Sequence, residues 1–288
     1  MAVIGALIVV AAASVAAGAI MERQALLADT LAGERDRIQA KWLLRGGLDW
    51  ARIILLNDGR NNAVTLKDAI WAQPIAGLEI KAPGDTRSAH FAGIIEDEQG
   101  KYNLQRLAKG GAVQATEFAA LNTLLAGLGL PAGLASAISD RVARAQAGPA
   151  GTASAPGLRN LRDLLGTPGV SVATIAILSE YLTVLPPDTA LNLNTASAEV
   201  LSAALPRLDL ARARSLMEER DRGHWFTSRG DFLNRLDDPE IAREAALTVR
   251  SEWFKVTGEI RLEHASVSLQ ALLHRQGDAL PIVRWIED

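Results

Sequence analysis

Residues 1–21 read MAVIGALIVVAAASVAAGAIM, a run without a single charged side chain. A helix of this length is about 30 Å long, which matches the hydrocarbon thickness of a lipid bilayer. A secretory signal peptide needs positively charged residues ahead of its apolar stretch, and none precede this one in the sequence. The stretch therefore predicts a membrane-spanning helix.

The residues that follow predict that this helix continues outside the membrane. From Glu22 to Leu56 there is no proline, charged residues are dense, and apolar residues recur at helical intervals. We expect one helix of about 55 residues that ends near Asn57-Asp58-Gly59, a typical turn signal. Its second half carries one predicted apolar stripe, formed by Leu27, Leu31, Ile38, Trp42, Leu48 and Leu55. A helix that is half in lipid and half on a soluble domain resembles that of type IV pilins and pseudopilins.

Two groups of short strands are predicted beyond the helix. Alternation of apolar and polar residues predicts strands at 78–81 and 89–96, with Pro83-Gly84-Asp85 as the turn between them. The alternation returns near the C-terminus in three strands, at 253–262, 265–273 and 280–286, with breaks at Gly258 and at 276–278. Early and late strands most economically share one antiparallel sheet.

A long helical block separates the two groups of strands. The predicted helices are 117–128, 134–146, 172–182, 196–205, 210–222 and 239–249, with prolines between them. The predicted fold class is α+β, with a pilin-like N-terminal helix packed on an antiparallel sheet and a large all-α insertion between strands. The expected divisions are 1–21, 22–57, 58–107, 108–250 and 251–288.

Composition excludes several classes of function. The 288 residues include 30 basic and 33 acidic side chains, a balance that argues against a protein that binds by neutralising phosphate. The absence of cysteine excludes disulfides, thiolate metal sites and thiol nucleophiles. The four histidines have no metal-ligand spacing, and no hydrolase or phosphate-loop motif occurs. We therefore predict a protein that is not an enzyme and has no certain cofactor.

Several segments in order resemble general secretion pathway protein K, the minor pseudopilin of type II secretion systems. Met1–Val10 resembles the mature N-terminus of that family after removal of the prepilin leader, and Met21–Gln24 resembles its membrane exit. The remaining similar blocks are 97–104, 191–201, 226–233 and 254–260.

The resemblance implies a subunit at the tip of the periplasmic pseudopilus that helps to initiate its assembly for export of folded proteins across the outer membrane. It implies minor pseudopilins I and J, then H, the major pseudopilin and the inner-membrane assembly platform as partners. Prepilin peptidase would process the chain and leave a methylated N-terminus. The chain would be a single-pass inner-membrane protein with its C-terminal bulk in the periplasm. Calcium is known in relatives, but no ligand set is assigned here.

Position five carries a specific expectation. Pilins and most pseudopilins have a glutamate there, which by the resemblance pairs with the terminal amine of a neighbouring subunit. Here the residue is Gly5, between Ile4 and Ala6. Because an unpaired glutamate is costly in hydrocarbon, a subunit without it suits a place with no subunit ahead of it. The alternative is that Gly5 is an apolar helix residue without positional meaning.

The site predictions fall on the two halves of the helix. The predicted membrane anchor comprises Met1, Ala2, Val3, Ile4, Gly5, Leu7, Ile8, Val9, Val10 and Ile20. The predicted interface with partner helices comprises Leu27, Leu31, Ile38 and Trp42. Leu48 and Leu55, higher on the helix, are expected to face the sheet of the same chain.

Three alternatives accompany this interpretation. Residues 191–233 resemble a DNA-binding helix-hairpin-helix of the competence type, although the hairpin has Pro206 where phosphate binding needs glycine amides, so no nucleic acid is expected. Asp237-Asp238-Pro239-Glu240 is either a calcium-binding cluster or, as we favour, a helix start capped by Asp238. Asp97 and Glu98 are interpreted as a solvated turn.

Overall fold

The computed structural model describes residues 2–81, 88–148, 151–242 and 245–287. Met1, the turn predicted at 83–85 and Pro149 lie outside the described residues. The first helix, α1, runs from Ala2 to Asn61 as one continuous element. A 3₁₀ turn at Ile70–Ala72 leads to strands β1 (Ile75–Lys81) and β2 (Ser88–Asp97).

The helical block contains six α-helices and six two-residue strands among the described residues. In chain order they are β3 (Tyr102–Asn103), β4 (Ala108–Lys109), β5 (Ala112–Val113), α2 (Ala115–Gly127), α3 (Leu134–Ala145), α4 (Val172–Leu178), β6 (Leu182–Thr183), β7 (Leu191–Asn192), α5 (Ala198–Ala204), α6 (Leu210–Asp221), α7 (Arg229–Asn234) and β8 (Leu247–Thr248). Short 3₁₀ turns lie at Glu98–Gly100, Leu104–Leu107, Leu161–Leu164 and Pro239–Ala242. The closing strands are β9 (Trp253–Arg261), β10 (Ser266–His274) and β11 (Ile282–Glu287).

Early and late strands form one five-stranded antiparallel sheet in the order β1-β2-β9-β10-β11. The strands on either side of the helical block, β2 and β9, are direct neighbours, with Ile95 opposite Val256. The expected shared sheet is therefore confirmed, and the helical block is inserted between two hydrogen-bonded strands.

The described residues form two main hydrophobic cores. One lies between α1 and a face of the sheet and includes Leu44, Leu55, Phe91 and Phe254. The other lies within the helical block, where Phe226 and Phe232 pack edge to face with ring centroids 5.2 Å apart. The α+β class with a pilin-like helix on an antiparallel sheet is confirmed, and the insertion is mainly helical but also contains short strand pairs.

Helix α1 ends at Asn61, near the predicted end at 57–59, and Gly59 is buried inside it against Arg275. Two local predictions were wrong. Gly258 does not break a strand but lies within β9, where a Cβ would come 3.1 Å from Leu44 of α1. The helix predicted at 239–249 is instead the 3₁₀ turn Pro239–Ala242 followed by β8, which pairs with β7 in parallel.

Candidate functional site

The N-terminal half of α1 has no cover from the rest of the described chain. Every residue from Ala2 to Leu31 is exposed. An 18-residue window of this helix has a mean hydropathy of 2.5 and is 0% buried, so its length and composition match a membrane span. The predicted anchor residues lie on this exposed part, except Met1, which is outside the described residues: Ala2, Val3, Ile4, Gly5, Leu7, Ile8, Val9, Val10 and Ile20.

The predicted single stripe divides into two faces. Leu48 and Leu55 are buried against the sheet, as expected. The lower positions are exposed: Leu27 by 56%, Leu31 by 70%, Ile38 by 57% and Trp42 by 67%. At 3.6 residues per turn, these four side chains lie about 100° around the helix from Leu48 and Leu55. They form an apolar face that the described part of the chain does not cover, which we call the lower stripe.

The covered part of α1 begins near Asp36, which contacts the loop between β9 and β10. The Asp36 carboxylate is 1% exposed and lies 3.1 Å from Nδ1 of His264, whose backbone N–H donates to it at 3.4 Å. Burial acts to raise the pKa of Asp36, but the hydrogen bonds from His264 and Arg35 outweigh it and hold that pKa below its usual value. This contact marks the lower limit of the covered half of the helix.

Two arginines bind the C-terminal end of α1. The Arg275 guanidinium donates to the Leu55 carbonyl at 3.1 Å and contacts the Asp58 carboxylate at 2.9 Å. Arg250 donates to the Gly59 carbonyl at 2.6 Å. Cationic side chains stabilise the last carbonyls of a helix and its dipole. The covered half of α1 is therefore fixed on the sheet at both of its ends.

The insertion joins the sheet through a buried carboxylate that was wrongly interpreted as part of a solvated turn. Asp97, at the end of β2, accepts hydrogen bonds from Ser251 Oγ and Thr195 Oγ1, both at 2.6 Å. It also accepts from Asn192 Nδ2 at 3.0 Å and from the Gln99 amide at 2.8 Å. Burial raises the pKa of Asp97 above its usual value. These contacts connect β2, the insertion and the segment before β9.

Glu98 was also wrongly assigned to solvent, since it lies in a buried ion cluster. Its carboxylate contacts Lys101 Nζ at 2.6 Å and Lys255 Nζ at 3.5 Å, and it accepts from Thr183 Oγ1 at 2.5 Å. Burial opposes ionisation, but Lys101 and Lys255 overcome it and hold the pKa of Glu98 below its usual value. Sequence reasoning missed these roles, although the polar groups of 97–101 and 192–195 stand out between apolar residues.

The acidic residues at 237–240 do not fit a calcium site. Asp238 pairs with Arg207 and accepts from the Glu240 amide at 3.1 Å, which matches the predicted capping role. Asp237 lies 3.5 Å from Arg212. Among the described residues there is no group of three acidic or histidine side chains that could hold a metal ion. These carboxylates instead pair with arginines and cap a turn.

The helix-hairpin-helix segment lacks the properties of a DNA-binding surface. The hairpin between α5 and α6 closes through a bond from the Leu208 amide to the Leu205 carbonyl at 2.8 Å, with Pro206 inside it. The nearby cations are paired with carboxylates, Arg207 with Asp238 and Arg214 with Glu199. A surface that binds phosphate needs unpaired cations and free amides, whereas this hairpin buries Leu205 and Leu208 in the core of the insertion.

Comparisons with known proteins agree with this geometry. The family model for protein K of the type II secretion system matches residues 191–250. The chain is 27% identical to type II secretion system protein K of Pseudomonas aeruginosa over 96% of this chain and 89% of that protein. It is 26% identical to protein K of Pectobacterium carotovorum subsp. carotovorum over 86% of this chain and 84% of that protein.

A solved structure shows the same fold. A chain of the GspK-GspI-GspJ complex from the enterotoxigenic Escherichia coli type 2 secretion system matches with a TM-score of 0.67. The match covers 88% of this chain and 97% of that chain at 19% identity. The chain is therefore similar in sequence to type II secretion system protein K over most of its length, and it shares the fold of a chain of the GspK-GspI-GspJ complex.

Proposed function

We propose that the chain caps the tip of a periplasmic pseudopilus and helps to initiate its assembly, without catalysing a reaction. The observation that carries this proposal is a 60-residue helix whose exposed half is apolar while its other half is fixed on a folded domain. The uncharged segment 1–21 anchors the chain in the inner membrane, with the remaining bulk in the periplasm. Pseudopilus assembly then serves the export of folded proteins across the outer membrane.

The lower stripe supports a role in assembly with other helices. Fully burying an exposed leucine or isoleucine contributes about 1.5–3 kcal/mol, so Leu27, Leu31 and Ile38, together with Trp42, provide a strong binding surface. The solved relative of this fold was crystallised as a GspK-GspI-GspJ complex. Minor pseudopilins I and J are therefore the proposed partners at this stripe, with their helices packed as in a coiled coil.

Two features support the position at the tip. The insertion between β2 and β9 adds a second hydrophobic core beside the pilin-like domain, and this bulk would obstruct a subunit above it. Gly5 offers no carboxylate to the amine of a subunit ahead of it. Minor pseudopilin H, the major pseudopilin and the assembly platform would then act below this subunit, after processing by prepilin peptidase.

The test is a pair of substitutions in the lower stripe. Leu31→Asp with Ile38→Asp should abolish co-purification of minor pseudopilins I and J, because two carboxylates would be buried in an apolar interface. The melting temperature should stay nearly unchanged, since both side chains are exposed.

Leu26→Asp is the matched control. Leu26 is 63% exposed and lies about 100° or more around the helix from the lower stripe. An intact complex in the double variant would refute the placement of partners on this stripe. Equal loss in the control variant would show that the effect does not depend on the face.

A further inference from the structure

The five-stranded sheet ends in an open edge at β11. This strand pairs with β10 on one side, and no described strand pairs with its other side. Ile282 and Ile286 are 46% and 45% exposed on it. The unpaired N–H and C=O groups of such an edge form a template that an extended polypeptide can complete with main-chain hydrogen bonds.

A cavity of about 370 Å³ lies beside this edge, between the sheet and the insertion. One wall is a row of cross-strand neighbours, Lys255 on β9, Leu272 on β10 and Trp285 on β11. The opposite wall belongs to the insertion and includes Leu165 and Val172, which are 46% and 74% exposed. The volume lies within the range of about 300–1,000 Å³ that is typical of ligand pockets. Because Trp285 belongs to the edge strand, the cavity extends to the open side of the sheet.

A strand added to β11 would continue this row of side chains. Directly opposite residues on neighbouring strands point to the same face of a sheet. The residue opposite Trp285 would therefore point toward the insertion, as Leu272 and Lys255 do, and would meet the exposed Leu165 and Val172. In this mode of recognition the main chain provides affinity, and a pocket for one side chain provides specificity.

Three arginines near the edge determine the charge that such a strand should carry. Arg159 and Arg162 line the cavity, and Arg284 lies where β11 shifts its register against β10. Among the described residues, no carboxylate pairs with the guanidinium group of any of the three. Acidic residues on an added strand would provide these partners.

The carboxylates of the same region are engaged elsewhere. Glu98 is held by the two buried lysines described above. Asp163 accepts from the backbone amides of Arg159 and Asn160 at 2.7 and 3.2 Å, and Glu287 accepts from Asn160 Nδ2 at 2.5 Å. A second copy of this chain would bring the same three arginines to the edge, so charge complementarity favours a different polypeptide.

We propose that β11 binds an extended segment of another polypeptide as a sixth strand, with a large apolar side chain of that segment in the cavity and acidic residues beside it. We call this surface the β11 cleft. It lies on the sheet and the insertion, apart from the lower stripe on α1, and goes beyond the proposed function without depending on it.

The test is binding of designed peptides to the full-length chain in lipid nanodiscs. Each capped peptide carries leucine, isoleucine, phenylalanine or tryptophan at its centre, aspartate two positions to either side and threonine elsewhere. At least one of these peptides should bind, more weakly as salt is raised. Hydrogen exchange at 282–287 should slow on binding, because strand pairing protects the amides of the edge.

Two altered peptides separate the main-chain contribution from the charge. Methylation of the alternate backbone nitrogens that would donate to β11 should weaken binding tenfold or more, because those hydrogen bonds are lost. Lysine in place of both aspartates should also weaken binding roughly tenfold. Arg159→Glu with Arg162→Glu should reverse this order, so that the lysine peptide binds more tightly than the aspartate peptide.

A further pair of variants tests the cavity. Ala176 is exposed and lines the cavity, so Ala176→Trp should fill it and weaken binding roughly tenfold while the chain stays folded. Ala173→Trp is the matched control, because Ala173 is exposed on the same helix but is not part of the cavity wall. The control should bind as the unaltered chain does, and melting temperatures confirm that both variants are folded.

Several results would overturn the β11 cleft. They are failure of every aspartate peptide to bind, equal binding of the methylated peptide, and equal affinity in Ala176→Trp and the unaltered chain. Protection of 282–287 without peptide that disappears on dilution would show that a second copy occupies the edge, against the charge argument. The double variant Leu31→Asp with Ile38→Asp should bind the peptides normally, so failure of the proposed function is distinguishable from failure of this site.

Discussion

Replacing Arg275 with methionine should destabilise the domain formed by α1 and the sheet. The guanidinium is 3% exposed and joins three parts of the chain through four acceptors. It donates to the Leu55 carbonyl at 3.1 Å, the Asp58 carboxylate at 2.9 Å, Thr65 Oγ1 at 3.0 Å and the Ser251 carbonyl at 2.7 Å. Methionine keeps the apolar stem and removes every donor.

The size of the effect follows from the loss of the guanidinium beside Asp58, whose carboxylate then keeps only the bond from Asn62 Nδ2 at 2.8 Å among its described contacts. The guanidinium also lies 4.8 Å from the centre of the Phe254 ring, and a methionine preserves most of this packing. Removing one partner of a buried ion pair costs about 3–5 kcal/mol, because the other charge stays buried. In Arg275→Met the charge that stays behind is that of Asp58, so we expect the free energy of unfolding to fall by about 4 kcal/mol. In a domain of this size such a loss lowers the melting temperature by about 8–16 °C.

Urea denaturation of a fragment that lacks residues 1–21 provides the assay, monitored by tryptophan fluorescence. Trp71 is a suitable probe because its ring packs edge to face on Phe254, with centroids 5.2 Å apart. Arg250→Met is the matched control, since Arg250 is exposed and donates to the Gly59 carbonyl of α1 at 2.6 Å. The control should lose about 1 kcal/mol.

A second variant tests the cause. Adding Asp58→Asn to Arg275→Met should recover part of the lost stability, because the buried charge is then absent. A loss below about 1 kcal/mol in Arg275→Met, or a loss equal to that of Arg250→Met, would refute the reasoning from buried charge. A double variant less stable than Arg275→Met would contradict it as well.

The remaining predictions concern the anchor and the ion cluster. Deleting residues 1–21 should yield a soluble, folded monomer in membrane fractionation and size-exclusion chromatography, and a fragment that still sediments with membranes would contradict the anchoring role. Glu98→Gln should destabilise the chain at pH 7. The pKa of Glu98 is lower in the folded chain than in the unfolded chain, so its charge stabilises the fold above the unfolded pKa. This stabilisation is lost as the pH falls through the folded pKa. The difference in melting temperature from the unaltered chain should therefore shrink below about pH 4. Glu263→Gln, at an exposed position between β9 and β10, is the control.

The sequence predicts those parts of the fold that depend on local pattern. The uncharged run and the absence of proline predict α1, and period-two alternation predicts β2, β9 and β10, because these signals arise within each element. Where contacts between distant parts of the chain determine the structure, the local sequence pattern gives a wrong prediction. Gly258 looks like a strand break, yet it lies in β9 because Leu44 needs the space.

The apolar residues of the candidate site were predictable from the sequence, and so was the burial of Leu48 and Leu55 on the sheet, but the angle between the two faces was not. Helical periodicity groups Leu31 and Ile38 with Leu48, whereas the sheet covers only the face that carries Leu48. The spacing of apolar residues along a helix does not show which molecule will cover them. The buried role of Asp97 was missed for a related reason, since its donors come from Asn192, Thr195 and Ser251, which are distant in sequence.

The insertion between neighbouring strands also sets an order of folding. Asp97 and Ser251, which meet where β2 ends and β9 begins, are 154 residues apart in sequence. Closing a disordered loop of that length opposes pairing by about 4 kcal/mol, whereas a folded insertion holds its two ends close together. At about 5–20 residues per second, synthesis leaves β2 without its central partner for roughly 10–30 s. During that interval β2 has only β1 as a neighbour and its other edge stays open, so fast folding of the insertion would shorten the time for which that edge is exposed to aggregation.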